Sequence, residues 1–177
     1  MKPKVTLYIA TSIDGYIAGK NDALDWLDSM EHGEEDYGYG EFYDSADGLI
    51  MGSRTYEIIR SFGEWPYKGK VSRICSSRDL ELPGDGDILL AGSPEEALTS
   101  FEQEGRKHIW LVGGGALVSY FLERDLLHEI IWSIVPVFLG EGVPLFPVFE
   151  PAQCSFDLES SSAFESGMVQ IVYKRKD

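Results

Sequence analysis

Short apolar runs separated by polar breaks organise most of this chain, and their internal spacing switches between two periods. "KVTLYIATS" (4–12) is mostly apolar and rich in β-formers, and "DG" at 14–15 ends it, which predicts a first strand. "GLIMG" near 48–52 predicts another. Ser53 then stands where a cap is expected for a helix over 54–61, along which Tyr56, Ile59 and Arg60 fall at helical spacing. "KVSRICSS" (70–77) and residues 87–91 read as strands. A helix over 94–104 follows, with Ser93 as cap, Pro94 as first helical residue, Glu96 as capping-box acid and Gly105 at its end. Residues 108–112 form a strand, three glycines intervene, and a helix runs to about Arg124. "HEIIWSIVPVFLG" (128–140) predicts a long apolar strand. Segments near 153–161 and 165–175 alternate in polarity and predict an antiparallel pair.

Between 19 and 47 the period is lost among acids and tyrosines, where a helix from about 34 to 45 is expected despite Gly38 and Gly40. Strands alternating with helices predict an α/β fold, its sheet mostly parallel with an antiparallel C-terminal edge. Ligands of such sheets gather at the carboxyl ends of the strands.

The length of 177 residues suits one domain, expected to span 1–177. No apolar run is long enough for a bilayer and the start lacks a signal-peptide layout, so a cytoplasmic location is expected. Cys75 and Cys154 are expected as small buried hydrophobes. His32, His108 and His128 share no ligand spacing, so no metal site is expected. Thirty acids against 15 bases give a formal charge of −15, which disfavours nucleic acid and anionic membranes as partners. A small anionic ligand would need a locally positive site.

Three strand ends offer one. Gly113, Gly114 and Gly115 follow an apolar strand and open a helix. Three glycines there read either as a tight turn or as a place where backbone N–H groups meet a phosphate. A dinucleotide fingerprint of the GxGxxG kind fails, because position 118 is Val118. Gly52, Ser53, Arg54 and Thr55 repeat the arrangement, and Ser76, Ser77 and Arg78 close the next strand. Together they suit a ligand with several phosphates along the sheet edge.

The ordered set "YIATSIDGYIA", "NDALDW", "GLIMGSRTYE", "RICSSRD", "IWLVGGGALVSYFL" and "IVPVFLGEGVPLFP" resembles the dihydrofolate reductase-like superfamily. Within it, the set is most similar to the reductase domain of riboflavin biosynthesis, over about residues 4–175. The resemblance implies a three-layer fold, NADPH as hydride donor and a homodimer. It implies that Ala10 and Ile17 present backbone groups to the nicotinamide carboxamide. It places Gly52, Ser53, Arg54 and Thr55 at the phosphates, and Ser76, Ser77 and Arg78 at the adenosine ribose and its 2′-phosphate. Gly113, Gly114, Gly115 and Ala116 would cradle the pyrophosphate.

The sequence also departs from the pattern. Trp26 matches the loop tryptophan of dihydrofolate reductases, but Asp28, Glu31, Glu34 and Asp36 all compete for the acid that follows it, with Glu31 the ungapped match and Asp28 beside it. The acid that commonly precedes the glycines in riboflavin-pathway reductases is replaced by Val112. Trp65 and Tyr67 in "GEWPYKG" read as a substrate-pocket wall or as a packed loop, and Asp14 as a loop anchor or an ordinary turn residue. The implied activity is reduction of a small heterocycle, of the dihydrofolate or 5-amino-6-(5-phosphoribosylamino)uracil kind. The alternative is a nucleotide-binding module without turnover.

Overall fold

The computed structural model describes residues 2–30, 35–84, 86–147 and 154–176. Its order is β1 (Lys4–Ser12), β2 (Tyr16–Ala18), α1 (Tyr39–Ser45), β3 (Gly48–Gly52), α2 (Ser53–Ser61), β4 (Val71–Cys75) and β5 (Ile88–Ala91). There follow α3 (Pro94–Gln103), β6 (His108–Gly113), α4 (Gly115–Glu123), β7 (Glu129–Val135), β8 (Val143–Pro144), β9 (Phe156–Ala163) and β10 (Val169–Arg175). Two 3₁₀ turns, Lys20–Asp22 and Asp25–Met30, lie between β2 and α1.

Eight strands form one sheet in the order β5-β4-β3-β6-β1-β7-β10-β9, while β2 and β8 pair separately. From β5 to β7 every pairing is parallel, and β10 and β9 add the antiparallel edge. Alternation along each strand sorts side chains to two buried faces. Leu7, Ile50, Ile109 and Leu111 pack with Phe101 of α3 and with Val118 and Phe121 of α4. Leu49, Met51, Ile74 and Trp110 pack on the opposite face with Phe42 of α1 and Tyr56 of α2. The result is helices on both faces of a mostly parallel sheet, the α/β class expected.

Several boundaries move, each for a local reason. Gly52, not Ser53, is the N-cap of α2, so no side chain caps that helix. The expected helix of 34–45 starts only at Tyr39, because the Asp36 carboxylate accepts from the N–H groups of Gly38 and Gly40 and begins a turn there. Residues 31–34, with Glu31 and Glu34, lie outside the described residues. The strand of 128–140 stops at Val135, since Pro136 has no N–H to continue the ladder. β1, β3 and β6 start as read, and so does α3: Ser93 accepts from the Glu96 N–H, although the Glu96 carboxylate reaches Gly92 N rather than that of Ser93. Neither cysteine is fully buried. No helix among the described residues is long and apolar enough to cross a membrane.

Candidate functional site

At the carboxyl ends of β5, β4, β3, β6 and β1 lies a cleft of about 780 Å³. Strand order sets its layout. Gly92, Cys75, Ser76 and Ser77 line it beside β5 and β4, followed by Gly52, Ser53, Arg54 and Thr55 at the start of α2. Gly114, Gly115 and Ala116 line it at the start of α4, and Ala10, Ile17 and Ala18 at β1 and β2. Tyr8, Tyr39, Tyr67 and Trp110 also border it, on the sheet face that carries α1.

The α2 and α4 N-termini meet here. Thr55 Oγ1 donates to the Gly113 carbonyl at 3.5 Å, and neither helix has a side-chain cap. Uncapped N-terminal N–H groups and the positive end of each helix face the same space, an arrangement that attracts an anion. Beyond Leu7, which pairs with Leu111, β1 has no ladder partner on its β6 side, although pairing to β7 continues to Ser12. The backbone around Ala10 is therefore open toward the cleft on one edge.

The three glycines have reasons of their own. Gly113 and Gly114 hold φ of +138° and +96°, which L side chains rarely adopt. At Gly115, φ is ordinary, but a Cβ would stand 2.3 Å from the Pro144 carbonyl oxygen. Backbone conformation accounts for the first two and packing for the third. Gly52 differs: its φ is −78°, its ψ is 161°, and a Cβ there would meet nothing within 4 Å. Neither backbone conformation nor space demands a glycine at 52, and it lines the cleft at the α2 N-terminus.

Charge is scarce inside. Among the described lining residues only Arg54 and Asp22 are charged, and they pair at 2.7 Å. Arg78 does not line the cleft; it turns to Glu57 at 2.6 Å. Burial pushes the Cys75 thiol up to about 12, so that side chain stays a neutral wall.

The residues expected at the substrate side divide. Tyr67 and Val112 line the cleft, whereas Trp65 packs behind Tyr67 with ring centroids 5.2 Å apart. Trp26 is buried with Val135 and Met168 in a separate cluster. Asp28 is exposed and does not line the cleft, and Glu31 lies outside the described residues. Asp36 is held below its usual pKa by the Gly38 and Gly40 N–H groups, a turn-capping carboxylate. Gly113 does not line the cleft. Asp14 does more than end a strand: it accepts from Leu139 N and Gly140 N, tying the 14–15 turn to the loop that precedes β8. Tyr8, Tyr39, Trp110 and Asp22 were not singled out by the sequence reading. The cluster "DYGYGEFY" was the available signal for Tyr39.

Residues 3–170 match the sequence profile of the RibD C-terminal domain. The uncharacterised protein YwjB of Bacillus subtilis (strain 168) is 37% identical over 148 residues, covering 82% of this chain and 84% of YwjB. A Shewanella sp. PV-4 protein provisionally assigned to riboflavin biosynthesis has a crystal structure with a TM-score of 0.89 at 32% identity, both chains covered in full. The Thermotoga maritima diaminohydroxyphosphoribosylaminopyrimidine deaminase/5-amino-6-(5-phosphoribosylamino)uracil reductase gives a TM-score of 0.74 at 16% identity. This chain spans 57% of that longer protein, and the likeness is one of fold.

Proposed function

The chain belongs to the RibD C-terminal domain family, and from that premise we propose that it is an NADPH-dependent reductase of a small heterocycle. Gly52 carries the reading. A glycine that neither backbone conformation nor packing requires, at an uncapped helix start inside the cleft, is explained by a ligand lying against it. The N–H groups at the starts of α2 and α4 would hold the phosphates, with the Ser53 and Thr55 hydroxyls and Arg54 beside them. Ser76 and Ser77 would flank the adenosine side, and the open backbone edge at Ala10, with Ile17, would receive the carboxamide. When bound, NADPH supplies a hydride to an electron-poor C=N or C=O carbon, whose π pair moves to the heteroatom and is completed by a proton from solvent. Ile17, Ala18 and Leu27 would give that carbon an apolar surround.

Gly52→Asp tests this. Aspartate is a favoured N-cap residue, so the helix should be at least as stable, while its carboxylate occupies the phosphate position. NADPH at about 100 times its dissociation constant should stabilise wild type by about 2.7 kcal/mol. That raises the melting temperature by about 5–11 °C for a chain of this size. Gly52→Asp should melt as wild type does and show no rise. A full rise in the mutant would overturn the reading.

A further inference from the structure

The aromatic end of the cleft is not absorbed by the cofactor. Tyr8 and Trp110 stand on neighbouring strands with ring centroids 6.4 Å apart, and Tyr39 lies 5.9 Å from the first and 5.8 Å from the second. Tyr67 meets Trp110 edge-on at 5.2 Å. Two of these rings are locked: the Tyr8 hydroxyl donates to the Tyr37 carbonyl, and Trp110 Nε1 donates to the Tyr8 carbonyl. The hydroxyls of Tyr39 and Tyr67 bond to none of the described residues, so both have a proton to donate. The one cation among the described lining residues, Arg54, sits at the α2 N-terminus and is paired with Asp22.

We propose that this end binds an uncharged planar heteroaromatic ring against the cleft-facing surface of the tyrosines, which Trp110 backs, and disfavours rings that carry a phosphate or carboxylate tail. The proposal rests on the reductase reading for the ring's role as hydride acceptor. Aromatic walls favour a flat partner by stacking and edge-to-face contact. Tyr39 and Tyr67 then donate to a ring carbonyl or nitrogen. Burial pushes Tyr39 up to about 12 and Tyr67 higher, so neither becomes an anion or loses its proton near neutral pH. The α2 and α4 N-termini would already hold the cofactor's phosphates, so a second doubly charged phosphate would enter a chain of net charge −15 with no free cation among the described cleft residues to receive it. The reductase named above for Thermotoga maritima is named for a uracil that carries a phosphoribosyl group, and the selection proposed for this cleft differs from that.

The test is calorimetric titration of the wild-type chain, with and without NADP⁺, using pterin, lumazine and lumiflavin as uncharged rings. Dihydrofolate and 5-amino-6-(5-phosphoribosylamino)uracil are the anionic comparators. At least one uncharged ring should bind tenfold or more tightly than either anion. Tyr39→Phe and Tyr67→Phe, which keep the ring and remove the donor, should each weaken it about fivefold, the scale of one neutral hydrogen bond. Tighter binding of either anion, no uncharged ring binding below millimolar, or wild-type affinity in both variants would overturn the proposal. A missing NADPH-induced thermal rise would instead sink the reductase reading, whatever the rings do.

Discussion

Gly115→Ala measures how closely the chain is packed behind the cleft. An added Cβ would lie 2.3 Å from the Pro144 carbonyl oxygen, 3.0 Å from Pro147 Cδ and 3.2 Å from the Leu145 carbonyl oxygen. Restoring ordinary contact requires a shift of about 1 Å, and the nearest obstacle is backbone rather than a flexible side chain. Overpacking of this kind costs about 3 kcal/mol at the upper end of its range. Alanine is the better helix former by at most about 1 kcal/mol, which offsets part of it. The net loss is then about 2 kcal/mol, read as a melting temperature lower by about 4–8 °C. Thermal and urea unfolding of wild type and mutant give the number. Gly52→Ala is the control: its Cβ enters open space at a negative φ, so its only cost is alanine's poorer fit to an N-cap, about 1 kcal/mol at most, and it should lose less than Gly115→Ala. If Gly115→Ala melts at or above wild type, the packing argument for the third glycine is wrong.

Asp22→Asn should tighten NADPH by several fold, by freeing Arg54 from its 2.7 Å pair, and the gain should shrink with added salt. Position 22 has φ of +62°, which asparagine tolerates as well as aspartate, so stability should hardly change in thermal unfolding. Acid should destabilise in two stages, followed by urea midpoints across pH. Burial holds His108 and His128 below the usual 6.5, so stability present above that value falls as the pH drops and they charge. Burial opposes ionisation of Glu129, but bonds from Lys4 and Thr6 win and hold its pKa below 4.5; that contribution, full above 4.5, is lost on further acidification. Glu129→Gln should therefore flatten the second stage and cost about 1–3 kcal/mol near neutral pH. Sedimentation should find a dimer of the 19.8 kDa chain at micromolar concentration, paired through the exposed edge strand β9; a lone monomer would refute it.

What the sequence made legible was local. The Ser93 cap and the end of the helix near Gly105 depend on residues within a few positions of each other, and they stand as read. The parallel sheet followed from strand and helix periods alone. The three glycines were noticed, but their cause was not: Gly115 is excluded from having a side chain by Pro144, which the chain reaches 29 residues later. Arg54 and Arg78 were read alike, yet pairing to Asp22 keeps one at the cleft and pairing to Glu57 draws the other away. The aromatic end was hidden for the same reason. Tyr8, Tyr39, Tyr67 and Trp110 come from four separate elements or loops, and only the strand order brings them together.

The placement of β1 has a consequence for how the molecule is assembled in time. It precedes both of its neighbours in the chain, being held between β6 and β7, whose paired residues begin at 108 and 129. Closing loops of that length costs entropy before any contact repays it. Until those partners emerge, Val5, Leu7 and Ile9 have no ladder to join in the large sheet. β3, β4 and β5, contiguous in the chain and mutually paired, can form a platform first. The cleft, which needs β1 beside β6 as well as that platform, therefore forms later than the platform, and a nascent chain gains its ligand site only after β6 has been made.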